Sequence, residues 1–480
     1  MTAAQTPATR SDSSNATLSL ADAMNLAIRN NPAHLSTINN RRTADAAVRS
    51  AAGQLLPSAD ASLSASRQQG GRQIFGGTSL GASSDVNQSQ YSIGIGYRVN
   101  RASFITPKLQ RASRNAVEAD ITGSAEKLRS NVAQQYLAVL QAQDRATLQD
   151  TLLVAARSQL VLAKARALVG SGTQLDVSSA EVTLGQGQVQ VIQARNLIEI
   201  EKLRLFLLLG VEQPANVQLT TKFGAFIEPP TLVDLLASAR AANPSILAIR
   251  SREKVADLNV KRTRSEYSPT LSLSTGISGY TYSYANPDFL VQQATSTSVA
   301  SQASCIRSEE VRAALNLPNQ LAACQALTFT PAQASALRSS NRQFPFNFQT
   351  SPKSISAQIS LPLFDGFARE QRVQEALASS DDARFNVRAA ELSLVADVTG
   401  AYLTLTTAAK TAALQEQNSA KAKLELKFAQ DRYRSGSVTL VDVTTARAAY
   451  ERAESDRINA IFDYHKAFAA LESAVGRPLR

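Results

Sequence analysis

The chain has 480 residues, 44% of them hydrophobic and 19% charged, enough for a large core and, by length alone, two to four ordinary domains. Two histidines (His34, His465), two cysteines (Cys305, Cys324) and no tryptophan argue against zinc clusters, haem and a disulfide-stapled scaffold. The longest unbroken apolar run, residues 205–209, is far short of the ~18 that a membrane-spanning helix needs. A formal charge of +11 keeps nucleic acid and anionic lipid open as partners at this point. The abundance of Ala, Ser, Gln, Leu and Val points to long helices rather than to an enzyme.

Residues 1–17 read as a polar tail; residues 1–15 lack an apolar h-region, so they are not a signal peptide. The expectation is either a cytoplasmic chain or a mature chain whose leader is replaced by a new Met1. An amphipathic helix is expected over residues 20–55, within which LSLADAMNLAIRNNP closes on Asn31-Pro32. After Pro57, residues 58–66 alternate small polar with apolar side chains, as do residues 91–97 beyond a loop; both read as strands with two different faces. A very long helix follows over residues 104–168, about 98 Å at ~1.5 Å per residue. The segment Val169-Gly-Ser-Gly172 turns the chain into a second helix that ends at Gly210.

The same order then recurs. TLVDLLASARAANP closes on Asn243-Pro244, 212 residues after its counterpart, and Pro269 stands 212 after Pro57. Further along, Tyr402, Gly436, Asp442, Ala446 and Gly476 each stand 266 after Tyr136, Gly170, Asp176, Ala180 and Gly210. Constant offsets of this kind mark an internal duplication. It divides the chain into a first repeat (residues 18–210), a linker or equatorial segment (211–230) and a second repeat (231–480). The second copy's helix spans residues 232–265, its strands 270–278 and 354–361, its long helix 368–433 and its turn 434–437. The larger second offset implies an insertion, placed at about residues 284–350, which lacks helical periodicity except near 309–317. Val395, Val398, Tyr402, Leu405, Ala409 and Ala412 form a heptad seam, and Ile461, Tyr464, Phe468, Leu471 and Val475 form another on the returning helix.

The strands approach the ~9–11 residues of a tilted membrane strand. Four of them cannot close a barrel, and an open sheet in lipid leaves two edges of unpaired backbone groups. They must therefore close by association, as eight in a dimer or twelve in a trimer, with the helical hairpins forming a second tube. The expected class is an α+β membrane protein of long helical hairpins and four transmembrane β-strands per protomer.

The residues that carry a family likeness are the duplicated NP…P spacing, LPLFDG at residues 361–366, YRSGSVTLVDVTTA at 433–446, LVGSGTQLDVSSAEV at 168–182, and the helix ends LLLGV and SAVGRPL. On these, over residues 18–480, the chain resembles the TolC-type outer membrane efflux proteins. The resemblance implies a homotrimer with a twelve-stranded β-barrel in outer membrane lipid and a periplasmic α-barrel. It implies a passive exit duct coupled to an inner-membrane transporter through a periplasmic adaptor protein, with no cofactor, no metal and no nucleic acid. It places the periplasmic aperture at Asp442, Tyr433 and Asp176, and the adaptor contact at Val169, Gly170, Ser171, Ser435, Gly436 and Ser437. Where the best-known member carries a gate arginine this chain has Val438, and Thr445 replaces a second gate aspartate. The competing reading of the same residues is structural: glycine ends a helix, and aspartate starts one.

Arg98, Arg101, Lys108, Arg111, Lys261, Arg262, Arg264, Arg369 and Arg372 gather near the strand–helix junctions, either as solvated faces and leaflet-phosphate contacts or as an anion-favouring lumen. If the insertion faces outside the cell, an oxidising compartment favours a Cys305–Cys324 disulfide over two free thiols. His34 reads as a helix-surface residue. A type I protein-secretion duct is the alternative within this fold. A soluble coiled-coil scaffold that binds nucleic acid through its charge is the alternative outside it, opposed by the bilayer-length strands and by the lack of aromatic–basic interleaving.

Overall fold

The Asn-Pro pair near the start of each repeat breaks a helix. In the computed structural model, which describes residues 16–75, 78–82, 84–221, 223, 229–318 and 320–479, strand β1 (Ala16–Leu18) leads into α1 (Leu20–Asn30) and α2 (Pro32–Gly53). Residues 1–15 of the tail and part of the linker lie outside the described residues. The second repeat opens in the same way, with α5 (Leu232–Ala242) and α6 (Pro244–Arg264). The single helices expected over 20–55 and 232–265 are thus each two helices. The cause is local: a residue before proline is pushed out of the α region, and Asn31 and Asn243 adopt ψ of 118° and 120°.

In chain order the other elements are β2 (Ser58–Gln68), β3 (Arg72–Phe75), β4 (Thr78–Ala82), β5 (Val86–Val99), α3 (Arg101–Leu168), α4 (Gln174–Leu209) and β6 (Val217–Leu219), which lie between α2 and α5. After α6 come β7 (Thr270–Tyr284), α7 (Asp288–Ala314), α8 (Leu321–Gln325), α9 (Pro331–Ser340), β8 (Gln349–Thr350), β9 (Ser354–Ser360), α10 (Ala368–Arg434) and α11 (Leu440–Val475). They form two compact units, one helical (described residues up to Ser50, Pro107–Thr263, Glu370 onward) and one strand-rich (Ala51–Thr106, Arg264–Arg369). Both repeats contribute to both units.

Within the helical unit the duplication reaches individual side chains. One core joins Ala23, Ala27, Leu128, Val132, Val139, Leu205 and Leu209; the other joins their counterparts Leu235, Ala239, Leu394, Val398, Leu405, Leu471 and Val475. The expected seams are the buried lines of α10 and α11: Val398, Leu405 and Ala412 fall seven apart, as heptads require. The Asn-Pro joints are locked to the ends of the returning helices. Asn31 Nδ2 donates to the Leu208 carbonyl and Asn243 Nδ2 to the Ala474 carbonyl, both at 2.9 Å. Gly210 (φ 71°) and Gly476 (φ 85°) cap α4 and α11 in the left-handed region. A Cβ on Gly210 would meet the Asn30 carbonyl, and one on Gly476 would lie 2.7 Å from Pro244 Cδ. Gly210→Ala therefore combines backbone strain with a clash and is expected to destabilise by roughly 2 kcal/mol or more. Thermal unfolding in detergent checks this, with Gly53→Ala, where nothing stands within 4 Å, as the neutral control.

In the strand-rich unit the main sheet runs β2-β5-β7 and continues through β9, with the short β8 also on β7; all pairs are antiparallel. The register aligns the faces across strands. Ala61, Ile93 and Ile277 share one row, and Tyr97, Leu273 and Ala357 another, on a single apolar face. The opposite face carries Ser62, Ser92 and Ser278, then Asp60, Gly94, Gly276 and Ser354. The apolar face is uncovered at mid-sheet: Leu63, Ile93, Ile95, Leu273, Ile277, Ile355 and Ile359 are all exposed. The outer edges of β2 and β9 have no partner strand among the described residues.

The insertion departs from expectation: it is mostly helical. Its main helix, α7, has 27 residues and none of them is buried. With no apolar face to bury, a helix leaves no apolar period in its sequence, so intrinsic propensity alone carries it. Cys305 on α7 is bonded to Cys324 on α8, with Cα atoms 5.6 Å apart.

Candidate functional site

The two turns predicted to meet an adaptor lie at the far ends of the helical hairpins and share one architecture. Gly170 (φ 74°) and Gly436 (φ 80°) adopt the left-handed conformation that only glycine takes without strain. It lets the amides of Ser171 and Ser437 reach back to the carbonyls of Arg166 and Arg432, at 2.9 and 2.8 Å. Helices α4 and α11 then start on matching caps. The Asp176 carboxylate accepts from the Thr173 amide (3.0 Å) and hydroxyl (2.9 Å), and the Asp442 carboxylate from those of Thr439 (2.9 and 2.7 Å). Both aspartates thus have a structural task within one protomer.

Of the predicted aperture residues, Tyr433 lies within reach of the Asp176 charge, and Asp442 and Thr445 share a groove. Tyr433 is buried with Leu440 and Val443, against Leu162, Leu426 and Val438. Arg166 of α3 links the two hairpins here. Its Nη1 donates to the Tyr433 carbonyl at 2.7 Å, its Nη2 to the Ser171 carbonyl at 3.2 Å, and its guanidinium lies 4.6 Å from the centre of the Tyr433 ring. Burial, and after it the Asp176 charge, push the Tyr433 phenol above its ordinary pKa. Sequence reasoning passed over Arg166, although it stands 266 before Arg432 and so belongs to the duplicated pattern.

Asp442 and Thr445 are exposed in a groove shared with Lys421, Leu424, Phe428 and Arg432. The Thr445 hydroxyl donates to the Val441 carbonyl at 2.9 Å. Val169, Ser171, Ser435, Gly436 and Ser437 are exposed, as are Leu168, Leu175 and Val441 around them, which makes an apolar rim. Hydrogen bonds from the Thr439 hydroxyl and then its amide hold the Asp442 carboxyl below the usual range. A lowered folded pKa contributes stability that is complete above the ordinary carboxylate value and is lost as pH falls through the folded one. A ¹³C titration of Asp442 should therefore give a midpoint below ~3.9, moving up towards it in Thr439→Val.

Two other expectations change. His34 is buried rather than on the surface, its Nδ1 3.1 Å from Ser124 Oγ; burial lowers its pKa. Its helix face is closed by α3, which position along one helix does not reveal. Arg369 is neither a solvated charge nor a lumenal one: it is buried, pairs with Asp365 at 3.0 Å, donates to the Pro362 carbonyl at 2.7 Å and stacks on Tyr267. Among the described residues no group of His, Cys, Asp and Glu is arranged to hold a metal ion.

Known proteins share this architecture. The chain is 24% identical over 460 residues to the outer membrane protein TolC of Vibrio cholerae, covering 95% of this chain and 90% of that protein. Among solved structures, the Campylobacter jejuni CmeC outer membrane channel aligns with a TM-score of 0.72 at 16% identity, over 95% of this chain and 85% of that one. The outer membrane protein VceC of Vibrio cholerae aligns at 0.68 and 16%, over 96% and 97%. At these identities the structures speak to fold alone. The family profile described as outer membrane efflux protein matches residues 23–211 and 328–477, most of both repeats. The chain belongs to the outer membrane efflux protein family, whose members are channels rather than enzymes, and its place is the outer membrane.

Proposed function

We propose that three copies of the chain close a twelve-stranded barrel and a periplasmic α-barrel, and that this duct is the outer membrane component of a tripartite efflux system. The observation that carries the reading is the main sheet: its apolar and polar faces are in register across four long strands, and both outer edges lack a partner. In lipid such a sheet is stable only when closed on copies of itself. Exposed seams on the helices support the same conclusion. Leu175, Val182 and Val189 of α4 stand seven apart and Leu392, Leu403 and Leu414 of α10 eleven apart, spacings suited to packing against neighbouring helices. In this reading the duplication supplies six pseudo-equivalent hairpins per trimer. Asp442, Asp176 and Thr445 line the periplasmic aperture, the buried Tyr433 latches it from behind, and Val169, Gly170, Ser171, Ser435, Gly436 and Ser437 meet the adaptor, through which an inner-membrane transporter supplies cargo.

Single-channel recording of purified protein in a planar bilayer tests the duct. Long-lived, slowly gated steps from a species of trimeric mass are expected; a silent bilayer with an oligomer that persists without detergent would sink the proposal. The same experiment reads the lumen. On the polar face of the four long strands the charged side chains among the described residues are Asp60, beside Gly94 and Gly276, and Arg98 four residues along β5. A ring of three Asp60 carboxylates, with no cation in its own row of the sheet, is expected to favour cations locally. Asp60→Asn should shift the reversal potential in a salt gradient towards anions without lowering conductance, and an unmoved potential would take Asp60 out of the selectivity of the lumen.

A further inference from the structure

The polar face of the main sheet changes character at one end. Along β2, β5, β7 and β9 it is built mostly of serine, glycine, glutamine and threonine, yet its last three residues on β7 are Tyr280, Tyr282 and Tyr284. Strand parity puts them on that face: they follow Ser274, Gly276 and Ser278 at intervals of two, opposite Gln90, Gln88 and Val86 of β5. The opposite face is closed at the same rows by the end of the insertion. Ser89, Thr281 and Ser283 are buried there. The Ser89 hydroxyl donates to the Pro345 carbonyl, and the amides of Gln343 and Phe344 donate to the Ser283 hydroxyl at 3.3 and 3.1 Å. Phe348 meets the Tyr91 ring edge to face at 4.9 Å. The three tyrosines are therefore not aromatics of the apolar face. They stand on the side of the serines, with Tyr280 47% and Tyr282 40% exposed.

Their rings make a ladder. Tyr282 and Tyr284 meet edge to face at 5.3 Å, and Tyr284 continues to Phe289 of α7 at 5.3 Å. From Tyr280 to Tyr284 the ladder climbs about 13 Å at ~3.3 Å per residue. Among the described residues no charged side chain shares this face at these rows, so the tyrosines' strand neighbours are the neutral Gln88 and Gln90. The Asp60 carboxylate stands four rows below Tyr280 on the same face. An exposed tyrosine ring attracts cations through its quadrupole and stacks on other planar rings. We infer that the Tyr280–Tyr284 ladder is a binding track for planar aromatic cations at the outer mouth of the lumen. Asp60 gathers positive charge below it, and the tyrosine faces hold the solute's ring as it leaves. The track rests on the proposal that the polar face of the sheet lines the duct.

Single-channel recording with ethidium, a planar aromatic cation, tests it on the full-length protein. Ethidium added to each side of the bilayer in turn should interrupt the wild-type current in resolved dwells. Tyr280→Leu/Tyr282→Leu removes two rings per protomer; each exposed cation–π contact is worth a factor of about 2–5, so the dwells should shorten about tenfold. Tyr280→Phe/Tyr282→Phe keeps both rings and should stay within about twofold of wild type. A polyethylene glycol of similar mass, which enters by size alone, should partition equally into all three. If the leucine variant does not assemble, Tyr282→Thr, a strand former without the ring, should shorten the dwells by a factor of about 2–5. A conducting wild type without ethidium dwells, or dwells unchanged in the variants that lack the ring, would overturn the track and leave the duct standing. A wild type that carries no current at all would bring down the duct reading, and the track with it.

Discussion

Ile93→Arg is expected to keep the protein out of the outer membrane. Ile93 lies on the apolar face of the central strand β5, between Ala61 of β2 and Ile277 of β7, and is exposed on a single chain. An arginine at the bilayer midplane of a β-barrel costs roughly 2–4 kcal/mol. In the proposed trimer, three symmetry-related copies bring the penalty to roughly 6–12 kcal/mol, comparable with the whole stability of many domains. Ser92→Arg places the same guanidinium one residue away on the polar face, beside Ser62 and Ser278. It should assemble normally and alter conductance only. Membrane fractionation followed by an unheated gel separates the outcomes: Ile93→Arg as unassembled chain, Ser92→Arg as stable trimer. Equal behaviour of the two would mean that the faces of the sheet do not divide lipid from water.

How much of this was legible in the sequence depended on whether a residue's job repeats. The two-faced strands were readable because serine and glycine alternate with isoleucine and leucine, and that alternation is itself the physical requirement of a wall between water and lipid. The duplication was readable because the Asn-Pro joints and the helix-ending glycines answer to one geometry twice: Gly210 and Gly476 have no room for a Cβ. Helix α7 was not readable, since it buries none of its residues and so has no apolar period to detect. Nor was the environment of His34, whose burial depends on a helix some ninety residues away in sequence. For Asp176 and Asp442 the sequence offered two roles, cap and aperture. The caps are present within one protomer, and a carboxylate that caps a helix can still line an opening. Arg166 had the clearest overlooked signal, because its counterpart Arg432 sits beside the turn motif that was recognised.

Arg166→Ala is expected to raise the conductance of the closed channel more than any single change at the carboxylates. The guanidinium ties the first hairpin's last helical turn to the second hairpin's through the Tyr433 carbonyl and the Tyr433 ring, while its other nitrogen holds the Ser171 carbonyl of its own turn. A hydrogen bond from a charged donor is worth about 1.5–3 kcal/mol. A cation–π contact at a half-exposed site adds about 0.5–2 kcal/mol. In the proposed trimer, losing roughly 2–4 kcal/mol in each of three protomers exceeds the ~5.5 kcal/mol that inverts a two-state equilibrium from 1:99 to 99:1. Even partial coupling of the three would therefore show as a large rise in open probability. Arg166→Lys keeps the charge over the ring but lacks the forked geometry that reaches two carbonyls at once, and should fall between wild type and alanine. Tyr433→Phe keeps both the ring and the carbonyl, loses only the hydroxyl's own contact with Arg166, and should stay nearer wild type than alanine at 166. Asp442→Ala removes the acceptor of the Thr439 cap without touching the link between hairpins, so its leak should be smaller than that of Arg166→Ala. Unchanged conductance in Asp442→Ala would remove that carboxylate from the gate. If Arg166→Ala lowers the melting temperature but leaves conductance unchanged, the arginine is a structural clamp, and the aperture closes on contacts between protomers instead.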